Sequence, residues 1–86
     1  MKYLLLGMRE NIEVTTLFKD TGVPIPKSFK LGSREYRIAR VSLVHAIKQG
    51  ARRVLIFNVA DEGGERVLIF DTENLRWQME SSYLSI

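Results

Sequence analysis

One pentapeptide occurs twice in this chain: Arg53-Val54-Leu55-Ile56-Phe57 is spelled again, residue for residue, as Arg66-Val67-Leu68-Ile69-Phe70. Both copies are short, β-branched and aromatic, and turn residues bound them, which favours strands over a helix. Between them runs Asn58-Val59-Ala60-Asp61-Glu62-Gly63-Gly64-Glu65, whose glycine pair suits the positive φ angles of a tight hairpin. With Gly63 and Gly64 as the central turn residues, Glu62 faces Glu65, Val59 faces Leu68 and Phe57 faces Phe70. Leu55, Phe57, Val59, Leu68 and Phe70 then project to one side. Val54, Ile56, Val67 and Ile69 project to the other, so the hairpin is apolar on both faces and calls for cover on both. A curled barrel wall, the N-terminal segment or a second chain would supply it, and these four residues form a candidate interface.

Eighty-six residues make one domain with a single modest core, spanning 1–86, in which residues 1–11 form a first strand or a tail. With 45% hydrophobic and 27% charged residues the composition is that of a folded soluble protein. There is no cysteine, hence no thiolate metal site or disulfide framework, and a reducing cytoplasm suits the chain. The apolar stretch Tyr3 to Met8 is too short for a signal peptide and is interrupted by Arg9 and Glu10. No run reaches transmembrane length, so no membrane is expected.

The other strands follow from the same signals. Ile12 to Lys19 is β-branched and ends at the turn Asp20-Thr21-Gly22. Val23-Pro24-Ile25-Pro26 predicts an extended connector or a sheet edge, because proline donates no backbone hydrogen bond. Gly32-Ser33 marks a second two-residue hairpin that sets Leu31 opposite Arg34 and Phe29 opposite Tyr36. Phe29, Leu31, Tyr36 and Ile38 are its core positions, while Lys30, Glu35 and Arg37 face water. From Tyr36 the strand continues through a bulge, since Val41 and Leu43 fall out of phase with Ile38, and it ends near Gly50 in a turn or helical turn. A short helix capped by Ser42 is the other reading of 41–50. Finally, Leu75, Trp77 and Met79 alternate with Arg76, Gln78 and Glu80, placing the first three in the core and the second three in water. Tyr83, Leu84 and Ile86 close the bottom of that core. The expected fold is all-β, with at most one short helical turn: an antiparallel meander of about six strands curling into a small barrel or half-barrel.

Gly64-Glu65-Arg66-Val67-Leu68-Ile69-Phe70-Asp71, followed by Leu75-Arg76-Trp77-Gln78-Met79 and Tyr83, resembles a small bacterial domain of unknown function. The C-terminal half of that family has a glycine, a hydrophobic strand ending in Asp, an Arg-Trp pair and a later Tyr. Pro26-Lys27-Ser28-Phe29 and Arg34 to Val41 are similar to the family's proline, phenylalanine and basic-plus-tyrosine strand, so the likeness covers roughly residues 24 to 83. Where the family has a tryptophan, this chain has the His45 to Ile47 region. In some actinobacteria such domains are encoded near DNA-repair polymerase genes. The resemblance implies a fold and leaves function open.

No catalytic or cofactor constellation emerges. His45 is the sole histidine and has no patterned nucleophile beside it. Asp61, Glu62 and Glu65 match no calcium-loop spacing, and Gly63-Gly64 lacks the spacing of a nucleotide site. The expectation is a noncatalytic domain without cofactors. Charge is more informative. Residues 27 to 53 hold eight basic residues against Glu35 alone, while residues 61 to 80 hold six acids against Arg66 and Arg76, so the molecule is dipolar. Lys27, Lys30, Arg34, Arg37, Arg40, Arg52 and Arg53 are candidates for nucleic-acid phosphates, with Tyr36 or Phe29 as stacking partners. Solvated strand edges are the bland alternative. The leading expectation is a protein-interaction or self-associating module, a protein partner or homodimer, with nucleic acid as the second.

Overall fold

The computed structural model of the chain describes residues 3–5, 9–20, 22–80 and 83–85. Nine strands are present among them: β1 (Tyr3–Leu5), β2 (Arg9–Phe18), β3 (Pro24–Leu31), β4 (Arg34–Arg37), β5 (Arg40–Gln49), β6 (Arg52–Asp61), β7 (Gly64–Asp71), β8 (Arg76–Glu80) and β9 (Tyr83–Ser85). Seven of them build one antiparallel sheet in the order β4-β3-β2-β8-β7-β6-β5, and β1 pairs with β9. The sheet curls into a half-barrel. Within the first eleven residues, the chain therefore holds both a short strand, at Tyr3–Leu5, and the start of β2.

Two bends produce the curl. β2 pairs with β8 through Arg9 to Ile12 and with β3 through Glu13 to Phe18, so one ribbon serves both walls. On the other side, β4 and β5 lie at opposite ends of the sheet order yet are joined by Ile38 and Ala39 alone. Ile38 N–H donates to Lys27 C=O at 2.9 Å and Ala39 N–H to Ala60 C=O at 2.8 Å, so consecutive residues are fastened to opposite walls. The strand expected to run from Tyr36 through a bulge is thus two strands meeting at a corner, and the sheet has seven strands rather than about six. A bulge does occur, but it lies between Val41 and Leu43 and so separates two residues expected to share one phase. Beyond it β5 stays extended to Gln49, with neither a helix nor a helical turn over 41–49.

Phe29 pairs with Tyr36 and Leu31 with Arg34, as the Gly32-Ser33 turn predicts. Gly32 takes φ 66°, a conformation open to glycine at little cost and the pattern of a type II′ turn. Pro24 and Pro26 lie where β3 has β2 on one side and no neighbour on the other, which is the sheet-edge setting that proline requires. Lys27 is the extra residue of a bulge beside them, between Thr15↔Ser28 and Thr16↔Pro26.

The central hairpin closes earlier than its glycine pair suggests. Asp61 pairs with Gly64, leaving Glu62 and Gly63 as the turn, and Phe57 opposes Leu68 while Leu55 opposes Phe70. Asp61 fixes this register: its carboxylate accepts from Gly63 N–H at 2.6 Å and from Arg66 Nε at 3.1 Å. A Cβ on Gly63 would sit 3.0 Å from Arg66 Nη2 and 3.1 Å from Asp61 Oδ1, so a larger residue there would press on the Asp61–Arg66 pair. The observed register also sets Glu65 opposite Ala60 instead of opposite Glu62, avoiding a like-charge cross-strand pair. Each partner moves by two residues, an even number, and every side chain keeps its face.

Inside the curl, Phe29, Phe57, Val59, Leu68, Phe70, Trp77 and Met79 form the main core, lined by Ile12, Val14, Leu31, Tyr36, Ile38 and Leu55. Trp77 lies 4.8 Å from Phe70 and 5.3 Å from Phe57 between ring centroids, contacts that add roughly 0.5–1.5 kcal/mol each beyond area burial. At one end Tyr36 stacks on Phe29 at 5.3 Å, and the Arg66 guanidinium sits 5.2 Å from the Tyr36 ring, tying β7 to β4 across the barrel by a cation–π contact.

Two core expectations are corrected. Leu75 is 64% exposed with φ 60°: it belongs to the turn before β8, where its N–H donates to Asp71 C=O at 2.9 Å. Glu80 faces away from the main core, as alternation demands, but is 5% exposed rather than solvated. Arg9 Nε lies 3.5 Å from its carboxylate, and neither carboxylate oxygen has a hydrogen-bond partner. Trp77 and Met79 are buried as expected. The side chains of Tyr83 and Leu84, and Ile86 altogether, lie outside the described residues.

Candidate interaction surfaces

The second apolar face of the central hairpin is enclosed by the single chain. Val54, Val67 and Ile69 are 4%, 8% and 3% exposed and pack with the partly buried Ile47 and Ile56. Of the four candidate interface residues only Ile56 keeps appreciable exposure. The other three form a second small core, against which Ile56 and, from β5, Ile47 pack. The open apolar surface has moved one strand outward.

That strand is β5, the last in the sheet order. Every residue from Arg40 to Ala46 is exposed, with Val41, Leu43 and Val44 at 37%, 47% and 44%. An edge strand carries a row of backbone donors and acceptors without a neighbour, and long apolar edges invite pairing with another strand. Past the bulge, Leu43, His45 and Ile47 lie on the outer face and Val44 and Ala46 on the core face, as their partners Asn58, Ile56, Val54, Phe57 and Leu55 fix. Signals for this edge exist in the sequence, since Val41 to Ile47 is apolar at five of seven positions. What hides it is that edge status depends on the corner at Ile38-Ala39.

The chain matches no protein-family model, no curated protein and no solved structure.

The seven candidate phosphate-binding residues are all exposed, but the fold does not gather them into one stripe. Lys30 sits between Glu13 and Glu35 in register. Arg34 lies 5.0 Å from the Tyr36 ring centroid and 3.4 Å from Glu62. Arg52 pairs with Asp71 at 2.7 Å and Glu73 at 3.3 Å. Lys27, Arg37 and Arg40 surround the corner, where Arg37 opposes Ser28 and Arg40 opposes Ala60. Arg53 alone of the seven lies on the core face of β6, opposite Lys48. Tyr36 and Phe29 are occupied by each other and by Arg66, so neither offers a free stacking face.

A groove of about 340 Å³ opens on the outer face between Arg9, Asn11, Arg52, Asp71, Arg76 and Gln78. Its charges are largely matched from within by the Arg9–Glu80 and Arg52–Asp71 pairs, and Gln78 Nε2 donates to Asn11 Oδ1 at 3.2 Å. Asp71 accepts from the backbone N–H of Glu73 at 2.8 Å and of Asn74 at 3.3 Å. These bonds, with Arg52, hold its carboxyl below the usual aspartate value, against a smaller opposing effect of burial. His45 stands exposed on β5, and among the described residues no three His, Cys, Asp or Glu side chains come together as metal ligands. No helix among them is long and apolar enough to cross a membrane.

Proposed function

We propose that the protein is a noncatalytic, self-associating module of a reducing cytoplasm, and that β5 of one copy pairs antiparallel with β5 of a second. The observation that carries this reading is the exposed apolar edge at Val41, Leu43 and Val44. A second copy suits this edge because Leu43-Val44-His45-Ala46-Ile47 reads alike in both directions: two apolar residues, a histidine, two apolar residues. Two such strands with His45 on the two-fold axis set Leu43 against Ile47 of the partner and Val44 against Ala46. Like faces meet in this register, as antiparallel pairing demands. Backbone hydrogen bonds supply affinity in such strand addition, and side-chain match supplies register.

Sedimentation equilibrium over a concentration series tests it. The expected mass is twice the 9.9 kDa of the chain, and the double variant Leu43→Lys/Val44→Lys is expected to weaken association at least tenfold, about 1.4 kcal/mol. A wild type that stays at single-chain mass, or a dimer indifferent to the double variant, rejects the proposal.

A further inference from the structure

The open mouth of the half-barrel carries a second surface, chemically unlike the β5 edge. On the core face, Ala46 opposes Leu55, Leu55 opposes Phe70, and Phe70 opposes Trp77. The β3–β4 wall covers only part of this row. Trp77 and Phe70 are buried, Leu55 is half-buried and Ala46 is exposed. Phe18, at the end of β2, meets Phe70 edge-on at 6.3 Å and 61° and is itself 58% exposed. Its ring is therefore held by a buried aromatic while much of its surface stays in water. The next pair on the same face is Lys48 opposite Arg53, both exposed and neither in an ion pair among the described residues. No acid stands opposite either: Arg53 C=O instead accepts from Thr72 Oγ1 at 2.7 Å.

From this arrangement we propose that the mouth binds single-stranded nucleic acid, with a base stacked on Phe18 over the Leu55–Ala46 floor and backbone phosphates at Lys48 and Arg53. An anchored, exposed aromatic on the same face as two cations without acid partners is the combination such sites use: stacking tolerates any base, and the cations follow the backbone. A duplex does not suit it, because its bases are stacked on one another and cannot reach a ring inside a trough. An acidic peptide would use the cations but leave Phe18 without a partner. All the side chains concerned belong to one chain, so no second copy is needed to complete the site, although Ala46 and Lys48 lie on β5.

The test is fluorescence anisotropy with labelled oligothymidine and oligouridine of about 12 nucleotides, within the span of small single-strand sites, over about 50–200 mM salt. Phe18→Leu, which keeps apolar bulk and removes the π-face, is expected to weaken binding roughly 5- to 100-fold, and Phe18→Trp to retain it. Lys48→Glu/Arg53→Glu is expected to reduce the salt slope by about 0.7 for each phosphate that is no longer neutralised. Arg76→Glu, on the outer face, is expected to bind as wild type. Circular dichroism of each variant establishes that it is folded. Failure to bind at the lowest salt, indifference to Phe18→Leu in a folded variant, or equal competition by duplex DNA or polyglutamate would each overturn the assignment.

Discussion

Asp71 serves a turn and a neighbouring strand at once. Its position after the second pentad is occupied by Asn58 after the first, and the difference in charge matters. Asp71 caps the β7–β8 turn through the N–H groups of Glu73 and Asn74 and holds Arg52 from the start of β6. Because these donors depress its carboxyl below the ordinary 3.8, the folded protein releases this proton more readily than the unfolded chain does. The resulting stabilisation is complete above the ordinary value and disappears as pH falls through the lower folded one. Asp71→Asn keeps an acceptor for the turn but loses the charge. The melting-temperature gap between wild type and Asp71→Asn is expected to be constant above about pH 5 and to narrow below about pH 4. Thermal melts from neutral to strongly acidic pH give the answer, and a gap that persists unchanged into acid would disprove the role.

At the scale of elements, the same turn contains a residue in the wrong conformation for its side chain. Leu75 holds φ 60°, in the left-handed region that costs an L-residue about 1–2 kcal/mol, and its side chain is mostly in solvent. Leu75→Gly removes that penalty but makes the unfolded chain more flexible, so the expected net gain is about 0.5–1 kcal/mol. Urea unfolding measures it, and a destabilised variant would show that Leu75 packs in a way its exposure conceals. The alternation Leu75-Trp77-Met79 invites extending β8 by one step, and periodicity has no means of showing that the Asp71 cap delays the strand. The Gly63-Gly64 register goes astray similarly, because Asp61 captures Gly63 N–H. The faces remain legible all the same: a slip of two residues leaves the period of two intact, which is why Leu55, Phe57, Val59, Leu68 and Phe70 line the interior as their spacing predicts. Glu80 has no comparable signal, since Arg9, its partner, lies at the other end of the chain.

For the molecule as a whole, the decisive joint is the one least visible in the sequence. Composition and turn spacing are enough for an all-β curl, but which strand becomes the edge depends on where the ribbon through Tyr36 and Val41 breaks. Ile38 and Ala39 carry no glycine or proline to mark it. That break is what exposes β5, scatters the arginines and draws Lys48 and Arg53 to the mouth. Ala39 N–H is also the donor that fastens the corner to Ala60 C=O. Ala39→Pro removes the donor and leaves a carbonyl without its partner, at an expected cost of about 1–3 kcal/mol, whereas Ala39→Gly keeps the bond and should cost only a few tenths to about 1 kcal/mol. Hydrogen exchange should then rise in β4 and at the start of β5, where the two walls are stitched together, while β7 and β8 keep their protection. Equal stability of the proline and glycine variants, or exchange rising evenly through every strand, would mean that the curl is held by the aromatic core alone and that the corner is merely where the chain turns.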